Sequence, residues 1–291
     1  MPELLTLQSA SCHVVVSTHG AEPHSLQGPD GHEYLWQAGD AWRRHAPVLF
    51  PVVGRLVDDT IEVDGLSHPM SQHGFARDLE WEVVQSGAAR AVLALRDSPE
   101  TRLRYPFAFV LSVAYEVDAH GLLTTYTVEN PGDVVLPFAL GSHPALSWPL
   151  EPGADPALHT VEFDQPEPAP VRRVQRTLLL PERFDTPVDG AVLALRKSLF
   201  AADAIVMDAV ASRGLTYRAP SGRALRLTWD GFDAITVWSP PAGAELLCLE
   251  PWRGLPSPPD FAGDFGDLPH LERLDPGEQR SYSYRLEPVG R

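Results

Sequence analysis

Apolar and polar residues alternate along most of this chain. Between 107 and 117 the residues are Phe-Ala-Phe-Val-Leu-Ser-Val-Ala-Tyr-Glu-Val, so Phe107, Phe109, Leu111, Val113, Tyr115 and Val117 recur at a period of two. That is the spacing of a strand with one face in a core. Asp118-Ala119-His120-Gly121 supplies a turn, and 122–130 returns as a second strand closed by Pro131-Gly132-Asp133, which predicts a long hairpin. The same pattern predicts strands over 12–18, 80–85, 91–95, 215–219, 224–229, 234–238, 245–249 and 280–287. Between them stand His19-Gly20, Ser86-Gly87, Pro220-Ser221-Gly222 and Pro240-Pro241-Ala242-Gly243 as turn signals. Helical spacing is confined to short pieces at 99–104, 194–202 and 258–265, none long enough to make a helical layer.

The expected fold class is therefore all-β, a large antiparallel β-sandwich of two packed sheets. The 29 prolines and 22 glycines are scattered singly between apolar runs, as turns joining many strands would place them. No internal repeat is present. The least regular stretch, 150–190, is Pro-rich and of mixed charge. It reads as a long surface excursion within one domain spanning 1–291, because strand patterning resumes after it unchanged.

Charge narrows the partners. A formal net charge of −16 opposes binding to nucleic acid and to an anionic membrane surface, since both need a basic footprint. It fits a neutral small molecule, and an anionic one would need a local cluster of Arg. Seven Trp keep carbohydrate in play. The two cysteines, Cys12 and Cys248, lie far apart in apolar runs and read as buried free thiols, with no disulfide framework and no CxxC site. Met-Pro-Glu-Leu-Leu at the start lacks the basic and apolar regions of a signal peptide, no apolar run spans a membrane, and the expected compartment is the cytoplasm.

Four segments set ionisable residues in apolar, turn-rich surroundings. Arg55 closes Phe50-Pro51-Val52-Val53-Gly54-Arg55-Leu56, where it is either a solvated turn residue or a ligand contact. His73 and Arg77 lie in Gln72-His73-Gly74-Phe75-Ala76-Arg77, where His-Gly marks a close backbone approach or simply a satisfied surface histidine. His143 follows a long apolar stretch in Leu140-Gly141-Ser142-His143-Pro144, and the proline holds it extended. Glu250 closes an apolar run in Leu246-Leu247-Cys248-Leu249-Glu250-Pro251-Trp252. There a buried carboxyl needs a partner or a task, and Trp252 offers an apolar wall. No GxSxG elbow, phosphate loop or dinucleotide fingerprint occurs. The eleven histidines show neither HxH nor HExxH spacing, so neither a metal nor a cofactor is expected.

Taken together and in order, 50–56, 73–77, 141–146 and 249–254 resemble the aldose 1-epimerase family, in the branch close to the bacterial lactose-operon accessory epimerase. The resemblance covers most of the chain, up to Asp275-Pro276-Gly277-Glu278 before the last strand. It implies the galactose mutarotase-like sandwich and a sugar site in a cleft. It further implies His143 as general acid, Glu250 as general base, and Arg55 and His73 as holders of sugar hydroxyls. The family's binding aspartate is matched to Asp203, with Asp208 as competitor, because the family's Asp-His is Asp-Ala here. Arg77 and Trp252 complete the expected substrate contacts. The expected reaction is the interconversion of hexose anomers by a monomer or homodimer. Two rivals are a hexose-6-phosphate 1-epimerase, drawing on Arg43, Arg44, Arg55 and Arg77, and a carbohydrate-binding protein without catalysis.

Overall fold

The computed structural model describes residues 2–240 and 244–289, so most of the turn expected at Pro240 to Gly243 lies outside the described residues. Nine antiparallel strands form the larger sheet. Their order is Val192–Ala194, Thr160–Phe163, Gly214–Arg218, Ala224–Asp230, Gln279–Val289, Gly121–Glu129, Val110–Asp118, Arg90–Arg96 and Glu82–Ser86. A second, six-stranded sheet runs Ile205–Met207, Ala234–Trp238, Leu246–Arg253, Leu140–Ser142 and Val48–Leu49, with Ala145–Ser147 also paired to Leu246–Arg253. A three-stranded sheet, Leu4–Gln8, His13–Ser17 and Glu22–Gln27, precedes both.

The period-two pattern does what it predicts. Leu111, Val113, Tyr115 and Val117 are buried on one face of Val110–Asp118, and Tyr126, Val128, Tyr282, Tyr284 and Leu286 continue that face on neighbouring strands. Leu247, Leu249, Ile235 and Val237 meet them from the six-stranded sheet, in one contiguous apolar cluster. Buried tyrosines need partners for their hydroxyls, and here those partners stitch the sheets together. Tyr217 donates to the Ser147 carbonyl at 3.0 Å, and the Tyr126 hydroxyl meets Ser142 Oγ at 3.4 Å.

Several expected boundaries shift. Phe107 and Phe109 leave the strand, because the chain turns at Pro106 and both rings join an aromatic knot with Tyr105, Phe50 and Phe75. The strand expected to close at Glu250 runs on through Arg253, since it is paired on both sides. Segment 150–190 is less of an excursion than expected. Thr160–Phe163 is an inner strand of the nine-stranded sheet, and Val174–Gln175 pairs with Leu178–Leu179. Of the helical pieces, 99–104 gives one turn, Pro99–Arg102, capped by Ser98. Piece 194–202 gives only the 3-10 turn Lys197–Phe200, and 258–265 reaches no further than the 3-10 turn Phe265–Asp267.

One glycine locks the first two motifs together. Gly74 has φ +73°, and a Cβ there would lie 2.0 Å from the Phe50 carbonyl oxygen, to which Phe75 N–H donates at 3.0 Å. Gly74→Ala is expected to lower unfolding stability by roughly 3 kcal/mol or more, as a backbone clash without room to relax does. Urea denaturation checks this, and an unchanged midpoint would refute it.

Candidate active site

Two short strands share one long partner in a single register. Leu246–Arg253 pairs Trp252 with Gly141 and Cys248 with Ala145. The residues between, Ser142-His143-Pro144, belong to the same register, which sets His143 directly opposite Glu250. Directly opposed residues in antiparallel strands share a face, with Cβ atoms about 4.5–5.5 Å apart. His143 Nε2 accordingly lies 3.2 Å from Glu250 Oε2. Thr236 is the next residue across in the same row, paired to Glu250 on the other side. The face carrying this row looks away from the sandwich interior and is roofed by loops.

Under that roof is a cavity of about 590 Å³, including its open mouth, lined by His73, Arg77, His143, Asp203, Glu250 and Trp252. Six sequence-predicted residues therefore converge. Arg55 does not join them. Its backbone is held by Thr177 and Ser257, and its guanidinium turns outward to Asp59 at 3.0 Å. Asp208 also stands elsewhere, clamped by Arg183 at 2.9 and 3.0 Å and lying 3.6 Å from Arg172. Of the two aspartates, the one in the cavity wall is Asp203.

Each side chain is oriented by its neighbours. The ring of His73 accepts Gly54 N–H at Nδ1, 3.0 Å away, which assigns the proton to Nε2 and makes that atom a donor. The first motif thus serves the cavity through Gly54, not through Arg55. Trp238 Nε1 and Ala204 N–H both donate to Asp203 Oδ1 at 2.9 Å, fixing the carboxylate and leaving Oδ2 for other partners. Trp252 Nε1 donates to Glu250 Oε2 at 3.2 Å. Gly141 lies under that indole, where a Cβ would come 2.8 Å from Trp252 Cδ1. The ring of His143 stacks on Trp42 with centroids 5.0 Å apart and meets His73 and Trp238 edge-on.

Burial sets the electrostatics. It pushes the His143 pKa down to about 3, with the Arg77 charge adding to the effect. It pushes Glu250 well above the usual carboxylate range, an effect that the Trp252 hydrogen bond opposes and the Asp203 charge reinforces. His73 is driven well down by burial, then by Arg77 and His143, so its ring is neutral. Burial also lowers Arg77, to about 10. Burial thus works against both charged forms of the pair, the imidazolium of His143 and the carboxylate of Glu250. Arg77 Nε, His143 Nδ1 and Thr236 Oγ1 are buried without hydrogen-bond partners in the protein. Such atoms are costly unless a ligand or water meets them.

Sequence reasoning missed Trp42, Gln72, Val174, Thr177, Thr236 and Trp238 in the cavity wall. A tryptophan in the charged run Asp40-Ala41-Trp42-Arg43-Arg44 was one available signal. Thr236 and Trp238 carried none, because their alternation marks any strand.

The sequence profile of the aldose 1-epimerase family matches residues 3–264. The chain belongs to the aldose 1-epimerase family. The chain is also similar to the plasmid and chromosomal LacX proteins of Lactococcus lactis subsp. lactis. Each is 29% identical over 293 residues, covering 97% of this chain and 98% of theirs. A galactose mutarotase-like protein from Lactobacillus casei superposes with a TM-score of 0.91 at 26% identity, covering 99% of this chain and all of that one. A galactose mutarotase related enzyme from Lactobacillus acidophilus gives 0.91 at 29% over the same shares. The galactose mutarotase-like sandwich expected from sequence is the fold.

The raised Glu250 pKa has a signed consequence for stability. An unfolded glutamate ionises near pH 4.3, while the native residue keeps its proton to higher pH. Its contribution to stability is full below about pH 4 and is lost as pH climbs toward the native pKa, because the folded chain then binds more protons than the unfolded one. Glu250→Gln cannot ionise. Its melting temperature is expected to gain on the wild type as pH rises from about 5 to 8. A difference independent of pH, by calorimetry at both values, would contradict the buried acid.

Proposed function

We propose that the protein interconverts the α and β anomers of a hexose, with Glu250 as general base and His143 as general acid. The observation that carries this reading is the buried 3.2 Å contact between His143 Nε2 and Glu250 Oε2 on a cavity floor. Mutarotation acts on the anomeric hydroxyl and the ring oxygen, two oxygens borne by one carbon. Two adjacent proton carriers suit that target.

Sugar hydroxyls entering the cavity favour the charged arrangement of the pair, carboxylate and imidazolium, which holds the same single proton as the neutral one. Glu250 takes the proton of the anomeric hydroxyl while His143 gives one to the ring oxygen. The ring C–O bond breaks and a carbonyl forms. The pair is now carboxylic acid and neutral imidazole, the form that burial favours. Rotation about the C1–C2 bond presents the other carbonyl face, and the reverse transfers close the ring. No proton need be exchanged with solvent over the cycle, so a water-poor pocket is tolerable.

The walls supply the rest. His73 Nε2–H and Arg77 can donate to sugar hydroxyls, and Asp203 Oδ2 can accept from them. Trp42, Trp238 and Trp252 offer apolar surface to the C–H faces of a pyranose. The pairing of the other arginines supports a neutral hexose over a phosphorylated one. Arg43 is bound to Asp40 at 2.9 Å, Arg44 to Asp78 at 2.7 Å and Arg55 to Asp59 at 3.0 Å, leaving Arg77 as the arginine in the cavity wall.

Pure anomers of glucose and galactose followed by optical rotation provide the test. His143→Asn and Glu250→Gln are each expected to lose on the order of 10²–10⁴-fold in rate while keeping the wild-type circular dichroism. Wild-type rates in either variant would refute the roles. Because burial moves His143 down and Glu250 up from their ordinary values, kcat/KM should show no step at the ordinary histidine value. A midpoint near that value, about 6.5, would argue against these shifts. Glucose 6-phosphate is expected to be turned over less well than glucose, and the opposite ranking would shift the reading to a sugar phosphate.

A further inference from the structure

Beside the cavity, behind Trp42 and Trp238, lies a buried nucleophile that the acid–base chemistry leaves unused. Cys248 shares its strand face with Glu250, two residues on, and is fully buried. It packs with Ala145 and Leu246 against Trp42 and Trp238. A ring nitrogen of His143, the thiol of Cys248 and a carboxylate oxygen of Glu250 all lie within 4.8 Å of one another. Imidazole, thiolate and carboxylate are the three donor types that Zn²⁺ takes. Bonds of about 2.0–2.3 Å in a tetrahedron put donor atoms ~3.3–3.8 Å apart. The 3.2 Å between His143 and Glu250 is close to that spacing, and the thiol, within 4.8 Å of both, would need to approach by at most about 1.5 Å.

Charge points the same way. A carboxylate, a thiolate and a neutral imidazole together carry the −2 that a divalent cation cancels, and burial penalises any uncancelled charge there. His143 and Glu250 also face the cavity, so a fourth position of the tetrahedron opens toward incoming solute. Glu22, His24 and His45 make a second cluster of ligand types. The two imidazoles there are stacked face to face, 4.1 Å apart and 19° from parallel, so their in-plane lone pairs do not converge on one point.

We propose that His143, Cys248 and Glu250 form an inhibitory site for a thiophilic divalent cation of the Zn²⁺ class, which competes with the sugar for the acid–base pair. The inhibition rests on the epimerase reading, whereas the capture of metal does not.

Tag-free, chelator-treated protein titrated with Co²⁺ is expected to bind one equivalent and to show a thiolate-to-metal charge-transfer band, which Zn²⁺ then abolishes by displacement. Cys248→Ser should lose the band and weaken Zn²⁺ binding on the order of 100-fold, while Cys12→Ser keeps both. In the anomer assay, equimolar Zn²⁺ should suppress wild-type turnover, and a chelator should restore it. For Cys248→Ser the ratio of rates with and without the same Zn²⁺ should stay near one. No band in the wild type, or a band that survives Cys248→Ser, overturns the site. A band without loss of turnover overturns the inhibition. Metal capture through Cys248 by a protein that never interconverts anomers would keep the cation site, and would remove the inhibition together with the epimerase reading.

Discussion

Everything at the site depends on the pairing of one long strand with two short ones in an unbroken register. Leu246–Arg253 is held on one side by Ala234–Trp238 and on the other by Leu140–Ser142 and Ala145–Ser147. Because the flanks agree in register, Ser142-His143-Pro144 has no freedom to slide. A slip of one residue would turn His143 toward the sandwich interior, where Ser142 now meets Tyr126, and leave Glu250 buried without its partner. Pro144 lacks the N–H that would complete the ladder at this point. The backbone compensates around it, with Leu249 N–H reaching the Pro144 carbonyl at 3.3 Å and His143 N–H reaching Pro47 at 3.1 Å.

That constraint also explains why the acid–base pair is buried. The six-stranded sheet presents its inner face to the core, through Leu247 and Leu249, and its outer face to the cavity, through Glu250 and Trp252, with Cys248 buried beside them under Trp42 and Trp238. Loops and short turns from remote parts of the chain, with the small hairpin Val174–Leu179, then roof the outer face and contribute Trp42, His73, Arg77, Val174, Thr177 and Asp203. Burial under this roof, more than any single charge, moves the proton affinities of His143 and Glu250 apart. The unfavourable desolvation is tolerated because the two groups lie at hydrogen-bonding distance.

The fold was legible in sequence where alternation ran long, as over 110–118 and 121–129, whereas the five-residue strand Leu4–Gln8 escaped because leucines occupy both of its faces. Thr160–Phe163 was lost for another reason. Four residues between prolines and charges carry too little periodicity to stand out, and only pairing with Gly214–Arg218 makes them a strand. For the site, the ionisable residues in motifs were legible and their surroundings were not. His143 and Glu250 announced themselves as polar groups in apolar runs. Arg55 announced itself equally and faces away, since an Asp four residues on captures it, a local pairing that motif reading does not weigh. The clustering of Cys248 with the pair was invisible for a different reason. A sequence displays ligand spacing only along one segment, whereas His143 meets Cys248 and Glu250 from a different part of the chain.

The indole of Trp252 rests on a residue with no side chain, Gly141, and at the same time donates to Glu250. The smallest possible addition at position 141, one methyl group, would therefore be felt not as lost packing but as a change in how tightly a carboxyl across the sheet holds its proton. Part of the acid–base tuning of this pocket is thus written in an atom that is missing, at a position with no chemistry of its own.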